Sequence, residues 1–269
     1  MPVRFLSPSH YQAYGHYIGC PSPAQLTQYF YLDDFDRQHI AQRRRPLNRL
    51  GFAIQLVTLR FLGTHLHDLN ELPTEVTAYM AQQLTLDVSH TDPALYSRSS
   101  TFWDHQSDLN RIYGYQSFHG VRPSFQFLRW LYARAWVGSE RPSVLFDLAT
   151  AWLIEHKILL PGVTTLERVV AQMCERVERR SWASLARGLS LSQRQTAASL
   201  LLVDDTTGLT LFDHWRQKPR HNSGPQIRLM LERLSALRQS QLHQIDVTSV
   251  SPNRVQLLAD FALATPSSR

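Results

Sequence analysis

The chain has few of the features that secreted proteins, membrane proteins and zinc modules require. Its only cysteines among 269 residues are Cys20 and Cys174, which lack the paired spacing of a metal site. Such usage implies neither a disulfide framework nor a structural metal. No apolar run approaches the roughly 20 residues of a membrane helix, and the first residues lack the apolar run of a signal peptide. We therefore expect a cytoplasmic protein with reduced cysteines and no membrane contact.

Lysine is also scarce, since only Lys157 and Lys218 of the 28 basic residues are not arginine. Arginine presents a planar fork of donors that fits a phosphate group or a guanine edge. The formal net charge is +6, and five arginines without any acidic residue lie between Arg43 and Arg60. This local concentration indicates a nucleic-acid partner. For the composition alone, a GC-rich genome that favours arginine codons is an equally good explanation.

Strict alternation of apolar and polar residues, the pattern of a half-buried strand, is missing as well. Helical periodicity dominates and predicts an all-α protein. Ser7 and Ser22 are predicted caps, and Pro46 should end one helix and begin the next. Asp33, Asp34 and Asp36 lie at the expected positive end of the third helix, where the helix dipole favours acidic residues. Helices are expected over about residues 7–15, 22–30, 33–44, 47–62, 73–84, 101–113, 124–137, 143–157, 165–186, 192–202, 225–239 and 252–263.

Turn-forming residues suggest how the chain is divided. Residues 87–94 are rich in turn formers and predict a first boundary. The helix expected at 165–186 is long and amphipathic, and it is suited to bridging two modules. We therefore predict a first module over residues 1–90, a second over 91–188 that ends in this helix, and a further helical region over 189–269.

Several unusual stretches of sequence occur in a fixed order along the chain. The longest is QRRRPLNRLGFAIQL at residues 42–56, followed by LRFLG at 59–63. The others are LDD at 32–34, TFWDH at 101–105, YGY at 113–115, RWLYARAW at 129–136, LLPGV at 159–163, LER at 166–168 and, more loosely, SGP at 223–225. In this order they resemble the amino-terminal region of Tn-3 family replicative transposases, and the resemblance covers essentially the whole chain. Arg45 stands where relatives commonly carry glycine, and Phe102 and Arg220 replace an expected arginine and threonine.

The resemblance implies that tandem helical modules, including helix-turn-helix-like units, bind the terminal inverted repeats of a transposon as double-stranded DNA. It also implies a catalytic region later in a much longer protein, where an acidic triad binds two magnesium ions. We therefore expect no enzymatic activity and no cofactor in this chain. We expect self-association as part of a transposase, and a location at the bacterial nucleoid.

Three groups of side chains are candidate DNA contacts, because arginines, hydroxyls and helix amino termini donate hydrogen bonds to phosphates. The first group flanks the junction before the Leu47 helix and consists of Arg43, Arg44, Arg45, Asn48 and Arg49. The second consists of Arg98, Ser99, Thr101, His105 and Arg111, with aromatic surface from Trp103. The third lies in and beside a predicted loop and consists of Arg216, Lys218 and Arg220.

Structural roles compete with each group. The first arginines are also placed to pair with Asp33, Asp34 or Asp36, Asn48 to cap its helix locally, and Arg60 to form an internal ion pair. In the second group, Trp103 and Tyr113 are alternatively core residues, and Asp104 with His105 a structural hydrogen bond. The third group is alternatively a solvated loop.

Catalytic interpretations are weak. Asp204 and Asp205 are adjacent in a turn, whereas two-metal phosphoryl transfer needs separated carboxylates that converge on the ions. Glu155–His156 lacks the second histidine of a zinc-protease helix.

Two other functions stay open: a helical interaction or dimerisation module of the transposase, and a truncated regulator that occupies transposon ends without cutting them.

Overall fold

The computed structural model describes residues 4–66, 72–87, 96–217, 221 and 223–264. Within these ranges the regular structure is helical, and β pairing is limited to isolated bridges between Gln116 and Ile158 and between Val203 and Thr210. The prediction of an all-α protein is confirmed. The helix-turn-helix-like character of its units stays a prediction.

The described helices follow the predicted order. They are α1 Pro8–Ala13, α2 Pro23–Tyr29, α3 Asp34–Ala41, α4 Pro46–Leu62, α5 Thr74–Leu84, α6 Ser100–Tyr113, α7 Val121–Val137, α8 Pro142–Glu155, α9 Val163–Arg187, α10 Leu191–Ser199, α11 Leu211–Arg216, α12 Gly224–Gln239 and α13 Pro252–Ala264. A 3₁₀ turn covers Leu242–Gln244. Most of the predicted boundary at 87–94 lies outside the described residues.

Two of these helices differ from expectation. Helix α7 begins at Val121 rather than at Ser124, because Pro123 is tolerated within the first turn, where its missing N–H has no helical partner to lose. Helix α11 was not predicted. It has only 6 residues, and the Thr210 side chain caps it by accepting from the Asp213 amide.

Side-chain caps explain where several helices start. Ser22 and Gln25 form a capping box ahead of Pro23, and Asp33 forms one with Asp36. Ser7 accepts from the His10 amide at the start of α1. The predicted caps Ser7 and Ser22 are confirmed, and Asp33 is a further cap that was not predicted from the sequence. Helix α4 is different, because its N-cap residue is Arg45 and no side chain caps it.

The chain folds into two compact units. Unit 1 comprises residues 1–131 and 141–171, and unit 2 comprises residues 132–140 and 172–269. The predicted boundaries near residues 90 and 188 stay a prediction. Within unit 1, Phe102 and Leu109 of α6 belong to the same apolar core as α4, although the sequence suggested separate modules for them.

Helix α4 is the centre of unit 1. Every residue from 50 to 59 is buried, so both of its apolar faces are covered, as its sequence predicted. Helices α2, α3, α5 and α6 contact it. Apolar burial stabilises a fold by about 25 cal/mol per Å², so the covering of both faces of α4 contributes to the stability of unit 1.

The carboxyl end of α4 is fixed by Gly63. This residue is left-handed, with φ of +72°, and a Cβ there would lie 2.6 Å from Cγ1 of Ile154. Its carbonyl accepts a hydrogen bond from the Leu160 amide at 3.0 Å. Glycine meets both demands, since it adopts positive φ without strain and leaves room for close packing.

Glu167 ties the amino-terminal segment to α9. Its carboxylate accepts from the Phe5 and Leu6 amides at 3.0 and 3.2 Å and from the Tyr11 hydroxyl. Burial works to raise the pKa of Glu167, but these hydrogen bonds outweigh it and hold the pKa below its ordinary value. The carboxylate is therefore ionised at neutral pH.

Unit 2 is built from the end of α7, most of α9 and the helices that follow. Arg254 of α13 donates to the Ala135 carbonyl at 2.8 Å, and Ser251 donates to the Val137 carbonyl at 3.1 Å. These bonds hold the start of α13 against the last turn of α7. Helix α12, in contrast, has no buried residue.

Candidate nucleic-acid interface

The junction between α3 and α4 carries the first group of candidate contacts. Residues 42–45 connect the two helices, a length typical of helix-turn-helix units. Arg44 and Arg45 are exposed, while Asn48 in the first turn of α4 is half-buried. The junction therefore presents two free arginine side chains beside the amino end of a buried helix.

The other two arginines of this group hold the junction in shape. The Arg49 side chain donates to the carbonyls of Arg43 and Ala41, at 2.8 and 3.4 Å. Arg43 donates to the Asp108 carboxylate at 2.8 Å, and its guanidinium lies 4.2 Å from the centre of the Phe52 ring. Arg43 thus pairs with an acid of α6 rather than with Asp33, Asp34 or Asp36.

Asp108 brings the first and second groups together. It accepts from Arg43 and, through its other oxygen, from Arg111 at 2.6 Å. Burial works to raise the pKa of Asp108, but its hydrogen bonds to the two arginines prevail and the pKa lies below its ordinary value. Arg111 is exposed, so its guanidinium has donors left for a further anion.

A buried polar network lies beneath this surface. Gln55 donates to the Tyr96 hydroxyl at 2.8 Å, and that hydroxyl lies 2.5 Å from Nδ1 of His105. Burial, helped by the positive charge of Arg43, lowers the pKa of His105 to about 4. His105 is therefore uncharged at neutral pH and packed inside. A DNA contact would need a charged, exposed imidazole, so the structure does not support His105 as a DNA-binding residue. The His105 ring is hydrogen-bonded to Tyr96 rather than to Asp104.

Gly51 makes this network possible. A Cβ at Gly51 would lie 2.4 Å from two carbons of the Tyr96 ring, so only glycine lets the ring lie directly on α4. The Ser99 hydroxyl then donates to the Tyr96 carbonyl at 2.8 Å, which fixes the start of α6. Arg98 is exposed there and Thr101 is half-buried.

The aromatic residues of this region are divided between surface and core. Trp103 is 58% exposed, so its interpretation as a core residue is wrong, while its neighbour Phe102 is fully buried. Tyr113 is half-buried and donates to Asp36 at 2.9 Å. Arg60 forms two hydrogen bonds to the same carboxylate, at 2.6 and 2.8 Å, which confirms the internal ion pair considered for it.

The third group lies elsewhere. Arg216 belongs to unit 2 and is half-buried at the end of α11, 3.9 Å from the carboxylate of Asp213 and 5.4 Å from the centre of the Phe212 ring. Lys218 and Arg220 lie outside the described residues. In unit 1 the first group and Arg111 of the second group therefore lie close together. Arg98 and Thr101 lie at the other end of α6, and Thr101 is about 15 Å from Arg111 along the helix axis.

Sequence reasoning missed the residues that organise the surface. The pairing of Asp108 with Arg111 is predictable from local spacing, since the two residues stand three positions apart on a helix. The pairing of Asp108 with Arg43 spans 65 positions and has no such signal. Gly51 in the middle of an apolar helix was also a sign of close approach, because glycine weakens a helix unless packing requires it.

Metal clusters and membrane-spanning helices are both missing from the described residues. No group of three or more histidine, cysteine, aspartate or glutamate residues in that part of the chain is arranged to hold a metal ion. Of the helices the structure describes, none combines the length and the apolar character needed to cross a membrane.

Comparison with known proteins places the chain in a family. The transposase for transposon gamma-delta of Escherichia coli (strain K12) is 37% identical over 97% of this chain. The transposases for transposon Tn1546 of Enterococcus faecium and transposon Tn501 of Pseudomonas aeruginosa are 26% and 30% identical over 87% and 82% of it. The chain spans 22–26% of the length of these relatives.

A family model described as Domain of unknown function (DUF4158) matches residues 5–173, which include α1 to α8 and the candidate surface of unit 1. The chain is homologous to Tn-3 family transposases over most of its length, and it belongs to the DUF4158 family.

Proposed function

We propose that the chain binds double-stranded DNA at the terminal inverted repeats of a transposon, as the recognition part of a transposase. The observation that carries this proposal is the arginine cluster at the α3–α4 junction, in a chain homologous to transposases. Two of its arginines are held in place by protein partners, and two are free.

The burial of α4 supports an approach to DNA through its amino end. A recognition helix usually lies in the major groove, but the faces of α4 are covered by its neighbours. Only its amino end is accessible, with Arg44, Arg45 and Asn48 around it. Under this proposal α4 points its first turn at the DNA, where free backbone amides and arginines bind phosphates and Asn48 approaches the base edges.

The fixed arginines contribute by preorganisation. Immobilising a long side chain or a loop on binding costs free energy, and a loop already held in its bound shape avoids much of this cost. Arg49 holds the turn through two carbonyls, and Asp108 joins Arg43 to Arg111. The free arginines therefore start from a defined backbone.

We further propose that strand transfer belongs to other parts of the transposase. In this arrangement the present chain contributes the affinity and sequence preference that bring the catalytic region to the transposon end. Linked modules then raise the overall affinity through effective concentration.

A binding titration tests the proposal. The full chain is titrated into fluorescent duplexes that carry either the terminal repeat of its transposon or a scrambled sequence, at salt concentrations from about 50 to about 200 mM. We expect roughly a thousandfold preference for the repeat. The double variant Arg44→Ala/Arg45→Ala should weaken binding and reduce the salt slope by about two, near the value for two lost phosphate contacts.

The matched control is Arg179→Ala/Arg180→Ala, which removes two exposed arginines of unit 2. It should leave affinity and salt slope nearly unchanged. Equal, weak binding to both duplexes would reject repeat recognition by this chain. An unchanged affinity in the Arg44 and Arg45 variant would reject the assigned surface.

A further inference from the structure

Residues of helices α11 and α12 in unit 2 line an open apolar groove of about 500 Å³. Its described lining includes Trp215, Ile227, Met230, Leu231, Leu234 and Leu237. The side chain of Leu231 is 60% exposed and that of Ile227 is 56% exposed. A contiguous patch of exposed aliphatic side chains is typical of an interaction site.

The spacing of the groove residues fits a helical partner. Residues 227, 230, 234 and 237 follow the 3-4-3 spacing with which helices pack side by side along an apolar seam. A partner helix laid along α12 would insert its own aliphatic side chains between these positions. Helix-in-groove recognition works in this way, with anchors at i, i+3 or i+4, and i+7.

The charged residues of α12 indicate which side chains should flank the apolar face of the partner helix. Successive helical residues point about 100° apart, which places Arg228 and Arg233 on opposite edges of the apolar face and Arg238 at its carboxyl end. Arg233 lines the groove itself and donates to the Gln217 carbonyl at 2.8 Å. Glu232 lies on the far side of the helix. The described edges of the groove are therefore positive.

A second copy of the chain is a poor occupant, since it would bring the same arginines to the same edges and like charges would repel. We propose that the α11–α12 groove binds an amphipathic helix of another protein, with aliphatic residues along one face and carboxylates on both sides of that face. This site belongs to unit 2, and its binding does not depend on the proposed function.

Two synthetic helical peptides test the proposal with the full chain. Both carry leucines at the 3-4-3 spacing, and they differ only in whether glutamate or lysine flanks these leucines. Binding is measured by fluorescence anisotropy of the labelled peptides. We expect the glutamate peptide to bind about tenfold more tightly, as a few exposed ion pairs would give. The difference should shrink between about 50 mM and about 500 mM salt.

Matched variants locate the site. Leu231→Ser removes a groove side chain and should weaken binding of the glutamate peptide about tenfold or more. Leu229→Ser makes the same change on another face of α12, away from the groove lining, and should bind as the unmodified chain does. Circular dichroism establishes that both variants keep their helices.

Arg228→Glu/Arg238→Glu leaves the aliphatic side chains intact and reverses the charge at one edge of the apolar face and at its carboxyl end. It should reverse the preference between the two peptides, and it keeps the test valid even if Leu231→Ser unfolds. Equal affinity for both peptides, or equal damage from Leu229→Ser and Leu231→Ser, would overturn the proposal. So would a dimer in sedimentation that Leu231→Ser converts to monomer, because the groove would then belong to a second copy.

Discussion

In unit 1 every residue of α4 from 50 to 59 is buried, whereas in unit 2 helix α12 has no buried residue although it carries at least six large aliphatic side chains. The two units also differ in how far their ion pairs are buried. Unit 1 buries Asp36 against Arg60, while the Arg179–Glu175 pair of unit 2 lies in solvent.

This contrast separates two uses of a helix. Helix α4 is surrounded by its own chain, so its residues specify the shape of unit 1 and place the arginines of the junction. Helix α12 has an apolar face that the described residues leave open, so its sequence is better explained by an external partner. Substitutions in the two units test this difference.

The ion pair of unit 1 should matter far more than that of unit 2. Arg60→Ala leaves the fully buried Asp36 carboxylate without its main partner, and we expect a loss of about 3–5 kcal/mol in stability. Arg179→Ala breaks a pair whose side chains are 74% and 70% exposed, and it should change stability by about 0.5 kcal/mol or less. Urea unfolding of both variants checks this, and similar losses would contradict the contrast.

Close packing around α4 gives the next largest effect. Gly51→Ala places a methyl group against the Tyr96 ring, and the resulting strain should destabilise unit 1 by about 1–3 kcal/mol. It should also disturb Ser99 and the start of α6. Gly224→Ala in α12 is the control, since a Cβ there would meet nothing within 4 Å. Identical unfolding midpoints for the two variants would argue against the Gly51–Tyr96 contact.

Glu167 makes the stability of unit 1 depend on pH. Glu167→Gln should lower stability by about 1–2 kcal/mol at neutral pH, because an amide accepts hydrogen bonds less strongly than a carboxylate does. The folded-state pKa of Glu167 is depressed. Its contribution is therefore present above the unfolded pKa of about 4.3 and is lost as pH falls through the lower folded pKa.

Unfolding of this variant and of the unmodified chain at neutral pH and near pH 3 measures the effect. The difference between them should shrink at the lower pH, and a constant difference would contradict the assignment. Asp246→Asn is the matched change in unit 2, where hydrogen bonds from Thr248 lower the pKa of an exposed carboxylate. Solvent screens that site, so we expect little change in stability at either pH.

The smallest effect should come from the open face of α12. Leu231→Ala removes a side chain that is already mostly in solvent, so stability should change by about 0.5 kcal/mol or less. Leu59→Ala in α4 makes the same change at a fully buried position and should cost about 2–5 kcal/mol. A large loss from Leu231→Ala in thermal unfolding would show that α12 packs within its own chain after all.

The sequence predicted the helices of this protein better than the contacts of its site. Ser22 with Pro23, Asp33 and Pro46 mark helix starts by local chemistry, so those elements were found. The sequence does not predict the first turn of α7, because the proline at position 123 is typical of the end of a turn. Helix α11 was missed because a helix of 6 residues has too few positions to show a period.

The candidate site depends on pairings between distant positions, which single-sequence reasoning does not reach. His105 stands among arginines and hydroxyls and therefore suggested a phosphate contact. Its burial is decided by Tyr96 and Gln55, and nothing near it in the sequence specifies those partners. The acids considered as partners of Arg43 lie near it in the sequence, whereas its partner Asp108 belongs to another helix.

Both ends of α4 are attached to other parts of unit 1. Its first turn follows the junction that Arg43 and Arg49 secure, and the Gly63 carbonyl after its last turn receives the Leu160 amide. A buried helix of 17 residues cannot bend without opening the core around it. It therefore keeps the junction and the segment that connects α8 to α9 at a fixed separation of about 25 Å.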